Sequence, residues 1–369
     1  MAEADPDNPV ALGEGKLTFP CEQCGSSLEY SPGSEQLRCG HCGHTQALAG
    51  ERAVIEHDFQ DMLQRIARAP ATALGGHTVQ CEGCGAQSVL TGQAGRCAFC
   101  GSPVVIDVKE LGEIVPPESL LPFRIDAEKA RAAFRTWVRK LWFAPGDLKR
   151  LAQVHGIDGV YLPYWAFDSQ TTTRYQGLRG DHYYVTESYT DAQGNRQTRR
   201  VQKTRWRPAS GTVRVAFDDV LVCASESLPR RLVDKLEPWD LANLRAFEAG
   251  YLSGFIAERY KIGVEDGFRL ADERMQPEIR AAIRRDIGGD VQQILTMRVR
   301  HADVKCKHLL LPLWISSFRY KEKVYRFIVN ARTGEVAGER PWSALKIALG
   351  VLTVVAIVVA VVLIKKQAG

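Results

Sequence analysis

Several common enzyme motifs are absent from this sequence of 369 residues. It has no glycine-rich phosphate loop, no His-Glu-x-x-His helix and no Gly-x-Ser-x-Gly elbow. Residues 1–15 are acidic and polar, so they do not form a signal peptide, and a disulfide framework typical of small secreted chains is not expected. With 45% hydrophobic residues and a net charge of +5, the chain is not broadly disordered. We therefore expect a folded, non-enzymatic protein.

Cysteine, in contrast, follows a regular pattern, because eight of the ten cysteines form Cys-x-x-Cys pairs. The two sets read C-x2-C-x14-C-x2-C and C-x2-C-x12-C-x2-C, and a glycine follows the second cysteine of every pair. Four thiolates at such spacing can surround one Zn²⁺ as a tetrahedron, and glycine permits the tight turn that each pair needs. The sequence predicts two structural Zn²⁺ sites, with Cys21, Cys24, Cys39 and Cys42 in one and Cys81, Cys84, Cys97 and Cys100 in the other.

Other uses of these cysteines fit less well. A redox dithiol needs only one Cys-x-x-Cys, and iron–sulfur ligands are usually more compact or unevenly spaced. His41 and His44 adjoin a site that already has four sulfurs, so we expect them in an exposed loop. Since four cysteines leave no open coordination position, both metals are expected to hold structure and to perform no chemistry.

The C-terminal part has no charged residue from Ile347 to Ile364, and thirteen of these eighteen residues are Val, Leu or Ile. A helix of this length is roughly 27 Å long, close to the ~30 Å hydrocarbon core of a bilayer. Trp342, Lys346 and Lys365 lie where interfacial anchors are found. The pattern predicts a transmembrane helix at 344–366 that contacts the lipid bilayer. We expect a single-pass protein of the cell inner (plasma) membrane, with the bulk of the chain cytoplasmic.

Between these ends the pattern is typical of an α+β body. Asp126 is a predicted N-cap for a following helix, 238–287 is predicted to be helical up to Gly288, and 171–222 is predicted to be a long hairpin. Leu162-Pro163-Tyr164-Trp165 returns as Leu311-Pro312-Leu313-Trp314, which favours an internal duplication. The predicted segments are a disordered tail at 1–15, zinc ribbon 1 at 16–48, a linker helix within 49–75, zinc ribbon 2 at 76–108, the α+β body at 109–343 and the transmembrane helix at 344–366.

Acidic residues are missing from Arg196 to Arg214, where seven cations surround Trp206. Three interpretations remain open for this stretch. It can be the solvated face of a hairpin, it can bind anionic lipid or protein, or it can bind nucleic acid through phosphates and base stacking.

The cysteine pairs, the Leu162–Trp165 segment and the apolar C-terminal run together resemble a bacterial family of membrane-anchored proteins with transcription-factor-IIB-type zinc ribbons. Members are often labelled primosomal or helicase-like, but a helicase needs a nucleotide-binding loop that this sequence lacks. Many such ribbons have proline after the first cysteine of a pair, where this chain has Glu22, Gly40, Glu82 and Ala98. The resemblance implies a scaffold that works beside phage-shock protein A and a flotillin-like SPFH protein in envelope stress.

Two functions from different classes therefore remain. The first is a non-enzymatic, membrane-anchored adaptor that recruits cytosolic proteins to the inner membrane through its ribbons and body. The alternative is a membrane-tethered nucleic-acid-binding protein that uses the ribbons and the basic hairpin. Phosphate contacts weaken steeply with salt, whereas an apolar protein interface does not, so salt dependence separates the two.

Overall fold

The computed structural model describes most of the chain as helices, strands and turns. The residues described are 10–12, 16–48, 54–68, 77–81, 86–90, 94–97, 99, 103–105, 117–141, 156–190, 192, 194–320, 323–339 and 343–367.

Eighteen strands and five helices are described within these ranges. The strands are β1 (Val10–Leu12), β2 (Lys16–Pro20), β3 (Ser27–Ser31), β4 (Gln36–Cys39), β5 (Thr45–Ala47), β6 (His57–Asp58), β7 (His77–Gln80), β8 (Gln87–Leu90), β9 (Ala94–Arg96), β10 (Pro103–Val105), β11 (Ser119–Leu120), β12 (Asp158–Thr190), β13 (Arg196–Cys223), β14 (Arg245–Ala246), β15 (Ile256–Glu258), β16 (Val291–Tyr320), β17 (Lys323–Asn330) and β18 (Val336–Gly338). The helices are α1 (Phe59–Arg68), α2 (Ala127–Arg139), α3 (Arg230–Val233), α4 (Val264–Ile287) and α5 (Ala344–Gln367).

The chain is mostly β, and the predicted α+β class is wrong. Strands β12, β13 and β16 have 33, 28 and 30 residues and form the centre of one large, mainly antiparallel sheet. Within the predicted helix at 238–287, only α4 is a long helix, and residues 238–263 form short 3-10 turns and two short strands. One reason is Gly254, whose φ of 85° cannot continue a right-handed helix.

The two Leu-Pro-x-Trp segments lie opposite each other at the centre of this sheet. Leu162 of β12 pairs with Leu311 of β16 in antiparallel register, and these two leucines are the equivalent residues of the two segments. A pair of equivalent residues on antiparallel strands places a local twofold axis between them. The neighbouring strands are related by the same axis. Strand β15 runs parallel beside β12, and β11 runs parallel beside β16 at the equivalent position.

Each tryptophan of the two segments anchors the helix of the other half. Trp165 donates its indole N–H to the carbonyl of Ile262 at 2.9 Å, and Trp314 donates to the carbonyl of Ile125 at 2.7 Å. These carbonyls stand two residues before α4 and two residues before α2. The two halves therefore exchange equivalent hydrogen bonds across the axis.

Helix α4 lies along one face of β12, β13 and β16. Its buried residues recur every three or four positions and are Val264, Gly267, Ala271, Met275, Ile279, Ile283 and Ile287. The helix ends at Gly288 and Gly289, whose φ values of 66° and 77° confirm the predicted stop. This packing buries one face of the three strands and leaves their other face uncovered by α4.

Aspartates set the starts of α1 and α2. Asp126 accepts the backbone N–H of Lys129 at 2.8 Å, which confirms the predicted N-cap. Helix α1 lies within the predicted linker segment, and it begins after Asp58, which accepts the N–H of Gln60 at 2.8 Å while the preceding residue pairs with β16. Met62 of α1 is fully buried against the main body.

The described part of the chain contains no helix with the length and apolar character needed to cross a membrane. Helix α5 begins and ends close to the predicted bounds, but it does not meet these requirements. The predicted transmembrane helix at 344–366 is therefore wrong, and so is the predicted location as a single-pass inner-membrane protein.

Candidate metal centre

Two tight turns of the first ribbon bring its cysteines together. Cys21 and Cys24 lie between β2 and β3, whereas Cys39 ends β4 and Cys42 follows in the turn to β5. The backbone N–H of Cys21 donates to the carbonyl of Ser26 at 2.7 Å, and that of Cys39 donates to the carbonyl of His44 at 2.8 Å. Both turns therefore have the same backbone hydrogen bond, from a cysteine N–H to the carbonyl five residues later.

The glycines of these turns have the conformation that the sequence predicted. Gly25 has a φ of 70° and Gly43 a φ of 76°. A β-carbon at either position would meet no atom within 4 Å, so the backbone conformation and not crowding accounts for glycine here.

The four sulfurs of Cys21, Cys24, Cys39 and Cys42, called here the sulfur quartet, form a cluster that could hold a metal ion. All four Sγ atoms lie within 4.8 Å of one another, and the Cys21–Cys42 and Cys24–Cys39 pairs are each 3.6 Å apart. A tetrahedral ion with Zn–S bonds of about 2.3 Å separates its sulfurs by roughly 3.8 Å. A disulfide needs about 2.05 Å, so the quartet has the spacing of a metal site.

The local backbone also favours a thiolate within the quartet. A backbone hydrogen bond from Cys42 is the main cause that lowers the pKa of the Cys39 thiol to about 6, and the backbone of His41 acts in the same direction. A thiol with this pKa is deprotonated at neutral pH, which is the form that binds metal. The pKa of Cys24 moves the other way, because a backbone hydrogen bond from Ser26 that lowers it is outweighed by desolvation and the three neighbouring sulfurs, which raise it to about 12. His41 and His44 are not members of the quartet.

The first ribbon is packed onto the large sheet. Ser253 donates its hydroxyl to the carbonyl of Leu28 at 2.6 Å, and Tyr30 donates its N–H to the carbonyl of Ser253 at 3.1 Å. The apolar side chains of the ribbon share one hydrophobic cluster with Tyr161 and Trp314 of the central strands. The sulfur quartet therefore lies in a ribbon that packs on the main body.

The second predicted site lies partly outside the described residues, because Cys84 and Cys100 are not among them. Cys81 and Cys97 are both buried. Cys81 donates its N–H to the carbonyl of Ala86 at 2.8 Å, which is the same bond to the fifth following residue as in the first ribbon. Within the described ranges, one four-cysteine cluster is complete, and the second zinc site stays a prediction.

A group of three carboxylates, Glu56, Asp168 and Asp219, also has its oxygens within 4.8 Å of one another. Lys307 occupies this group, with Nζ at 2.9 Å from Glu56 and 2.7 Å from Asp219, and its side chain is only 7% exposed. Burial raises the pKa of Asp168 to about 6, while the hydrogen bond from Lys307 lowers the pKa of Glu56. We interpret the group as an ion-pair network around the buried Lys307.

Asp219 and its partner Lys307 lie far apart in the sequence, on β13 and β16. The bulge at this end of β12 and β13 gives Asp219 a φ of 52° and brings its N–H to 2.8 Å from the carboxylate of Asp168. No local signal in the sequence indicates this pairing.

One hydrogen-bonded chain resembles a hydrolase triad in composition. His301 Nδ1 lies 2.9 Å from the Ser169 hydroxyl, and His301 Nε2 lies 3.0 Å from the Asp272 carboxylate. Ser169 is only 1% exposed, so a substrate cannot reach its hydroxyl. The chain instead ties α4 to β12 and β16.

Comparison with known proteins adds one relative. No family model and no solved structure matches this chain. It is similar to the uncharacterized protein YdjG of Bacillus subtilis (strain 168), with 27% identity over 338 residues, which is 90% of this chain and 92% of YdjG. The similarity covers nearly the full length of both proteins, and the name of this relative indicates no activity.

Proposed function

We propose that this chain is a non-enzymatic scaffold that uses two structural zinc ribbons and its large sheet to recruit other proteins. The observation that carries this proposal is the sulfur quartet. Its four sulfurs have the spacing of a fully coordinated ion, and such an ion has no open position for water or substrate. A metal held in this way stabilises a surface and performs no reaction.

Packing of the ribbon on the main body supports the same function. A small ribbon has little apolar core of its own, so metal binding, worth about 10–16 kcal/mol in small zinc modules, provides most of its folding energy. Here that metal-stabilised module is joined to the sheet through Leu28, Tyr30 and Ser253. The result is a rigid surface of the kind that a recruiting protein presents.

The partners that the family resemblance implies are proteins of the phage-shock protein A and SPFH types, in envelope stress. We retain these as the proposed partners, in a form that does not require a membrane span in this chain. The second candidate is nucleic-acid binding, which is favoured by the exposed Trp206 among the arginines of β13.

Metal content tests the zinc part of the proposal. We expect two zinc ions per purified chain, one fewer after Cys21→Ser and one fewer after Cys81→Ser. Cys306→Ser is the matched control, because this buried cysteine lies outside both predicted sites, and its zinc content should remain at two. A zinc-free wild-type chain would refute the proposal.

A pulldown with the full chain tests the scaffold part. Protein partners should be retained after nuclease treatment and after a rise in salt, since a protein interface depends less on phosphate contacts. If every partner disappears with nuclease, the nucleic-acid alternative replaces the scaffold.

A further inference from the structure

Strands β12, β13 and β16 form a long projecting arm. All three strands are paired as far as Gly180, which lies opposite Val291, and β12 and β13 then continue as a two-stranded ribbon to Thr190 and Arg196. Helix α4 covers the face that carries Tyr175, whose hydroxyl donates to Asp286 of that helix at 2.6 Å. The opposite face of the arm is called the open face.

The register identifies which residues point to the open face. Side chains alternate between the two faces of a strand, and directly paired residues point to the same face. The even-numbered residues of β12 from Gln170 onward, and their partners, therefore line the open face. Its cations are Arg174, Arg200, Arg214, Arg298 and Arg300, together with Arg196 at the tip.

Among its described residues, the open face carries no acidic residue. This holds for the even-numbered residues of β12 from Gln170 to Thr190 and for their partners on β13 (Arg196–Ala216) and β16 (Val291–Ala302). The carboxylates of the arm lie on the other face, where Glu187 pairs with Lys203 at 2.8 Å and Arg199 at 3.6 Å. The arginines of the open face are exposed, and none forms an ion pair within the described part of the chain. The positive charge of this face is uncompensated.

An apolar area interrupts these arginines. Leu178 pairs with Pro208, and Gly180 pairs with Trp206 and with Val291. A β-carbon at Gly180 would lie 2.9 Å from the Trp206 ring and 2.5 Å from Val291, so both side chains close over the glycine. Trp206 nevertheless remains 41% exposed. The apolar area is therefore available for contact.

We propose that the open face binds an acidic protein segment with an apolar centre. This rests on the proposed scaffold function and names the chemistry of its partner. Carboxylates of the segment pair with the arginine cluster at Arg174, Arg214, Arg298 and Arg300, and its apolar centre covers Trp206. Tryptophan and arginine are enriched among the few residues that dominate the binding energy of protein interfaces.

The same face fits nucleic acid less well. Single strands bind by stacking successive bases on several aromatic rings that alternate with cations. Here the other exposed aromatic of this face, Tyr184, is already covered by Arg200, whose guanidinium lies 4.2 Å from the ring centre. One available ring beside a separate arginine cluster suits one apolar anchor with flanking carboxylates.

Peptide binding to the full, zinc-loaded chain tests this inference. The first probe is a fluorescent peptide of about 15 residues, which can extend over the roughly 46 Å from Arg214 to Arg200, with glutamates at both ends and a Leu/Phe centre. The second replaces that centre by serine, and the third is an oligothymidylate of similar length. We expect the first peptide to bind most tightly.

Matched variants locate the binding. Arg174→Gln/Arg298→Gln removes a directly paired couple from the open face, and we expect binding to weaken about tenfold or more. Arg205→Gln/Arg207→Gln removes the same charge from the other face and should leave binding nearly unchanged. Trp206→Ala should abolish the preference for the apolar centre.

Three results would each overturn the inference. The first is tighter binding of oligothymidylate than of the first peptide. The second is an equal loss of peptide affinity in the two double variants. The third is that the first peptide does not bind the wild type. The scaffold function is tested separately from the open face, by the pulldown. If Arg174→Gln/Arg298→Gln still retains nuclease-resistant partners, the scaffold stands and the open face is not its docking surface.

Discussion

Replacing Glu118 by glutamine should change how the stability of this protein depends on pH. The Glu118 carboxylate is only 11% exposed and lies between β11 and the helix α1. One oxygen accepts the backbone N–H of His308 at 2.7 Å, and the other lies 3.2 Å from both His57 and Arg65. Burial raises the pKa of Glu118 to about 7, although the His308 bond and Arg65 act in the opposite direction.

The sign follows from the two states of the chain. The folded pKa of Glu118 lies above its ordinary value of 4.5, so the protonated form is favoured by folding. Its contribution to stability is complete below pH 4.5 and is lost as the pH rises through about 7. The difference between the two pKa values corresponds to about 3 kcal/mol of unfolding free energy.

Burial also lowers the pKa of His57, so this histidine is uncharged at neutral pH. At its 3.2 Å distance from Glu118, the uncharged His57 does not offset the buried negative charge. Arg65 is the cation that remains beside Glu118, and its own side chain is 44% exposed. Solvent weakens its attraction, so most of the 3 kcal/mol should be measurable.

Urea unfolding of the wild type and Glu118→Gln between about pH 4 and pH 8.5 measures the effect. The free energy of unfolding of the wild type, relative to the variant, should fall by about 3 kcal/mol over this interval. Glu128→Gln, at an exposed position of α2, is the control and should run parallel to the wild type. If wild type and Glu118→Gln also run parallel, the carboxyl is not perturbed and the argument from burial is wrong.

Two further predictions concern the helix starts. Asp126→Ala removes the N-cap of α2 and should lower the free energy of unfolding by about 1 kcal/mol in urea titration, while an unchanged midpoint would show that the Lys129 bond contributes nothing. Trp165→Phe keeps an aromatic ring but removes the indole N–H bond to Ile262 and some packed ring atoms, and should cost about 1–3 kcal/mol or more, because the Ile262 carbonyl loses its donor and a buried site loses volume. Amide hydrogen exchange should then rise first at the start of α4, and a uniform rise would contradict this assignment.

Local chemistry made some elements predictable from the sequence. The turns around Cys21 and Cys39 need only a Cys-x-x-Cys-Gly phrase, and both have the predicted positive φ at glycine. The N-cap at Asp126 likewise depends on residues within one helical turn. These features are set by contacts between near neighbours, so they can be derived without the fold.

Other features depend on residues far apart in the chain, and the sequence pattern did not indicate them. The group at Lys307 joins Glu56 to Asp219, and the uncompensated open face appears only when β16 is placed beside β12. The apolar run at Ile347–Ile364 gave a strong local signal, yet no described helix meets the requirements of a membrane span. Hydropathy measures transfer from water and does not identify the surroundings of a helix.

The two halves related by the local twofold axis help to explain where binding is expected on this molecule. Beyond the tryptophans, the halves are equivalent in backbone bonds, since the carbonyl of Ala224 accepts the N–H of Ile262 at 3.1 Å and that of Ala331 accepts the N–H of Ile125 at 2.9 Å. A backbone bond imposes few demands on side chains, so two halves can keep this geometry while their sequences diverge.

The halves differ most in the hairpin that follows each tryptophan. In the first half, β12 continues to Thr190 before the chain turns, whereas in the second half β16 ends at Tyr320. The longer hairpin adds a surface that has no equivalent in the second half. The arginines of the open face form no ion pair within the described part of the chain, and Trp206 beside them is exposed. A contact with another molecule therefore explains these residues better than the stability of the fold does.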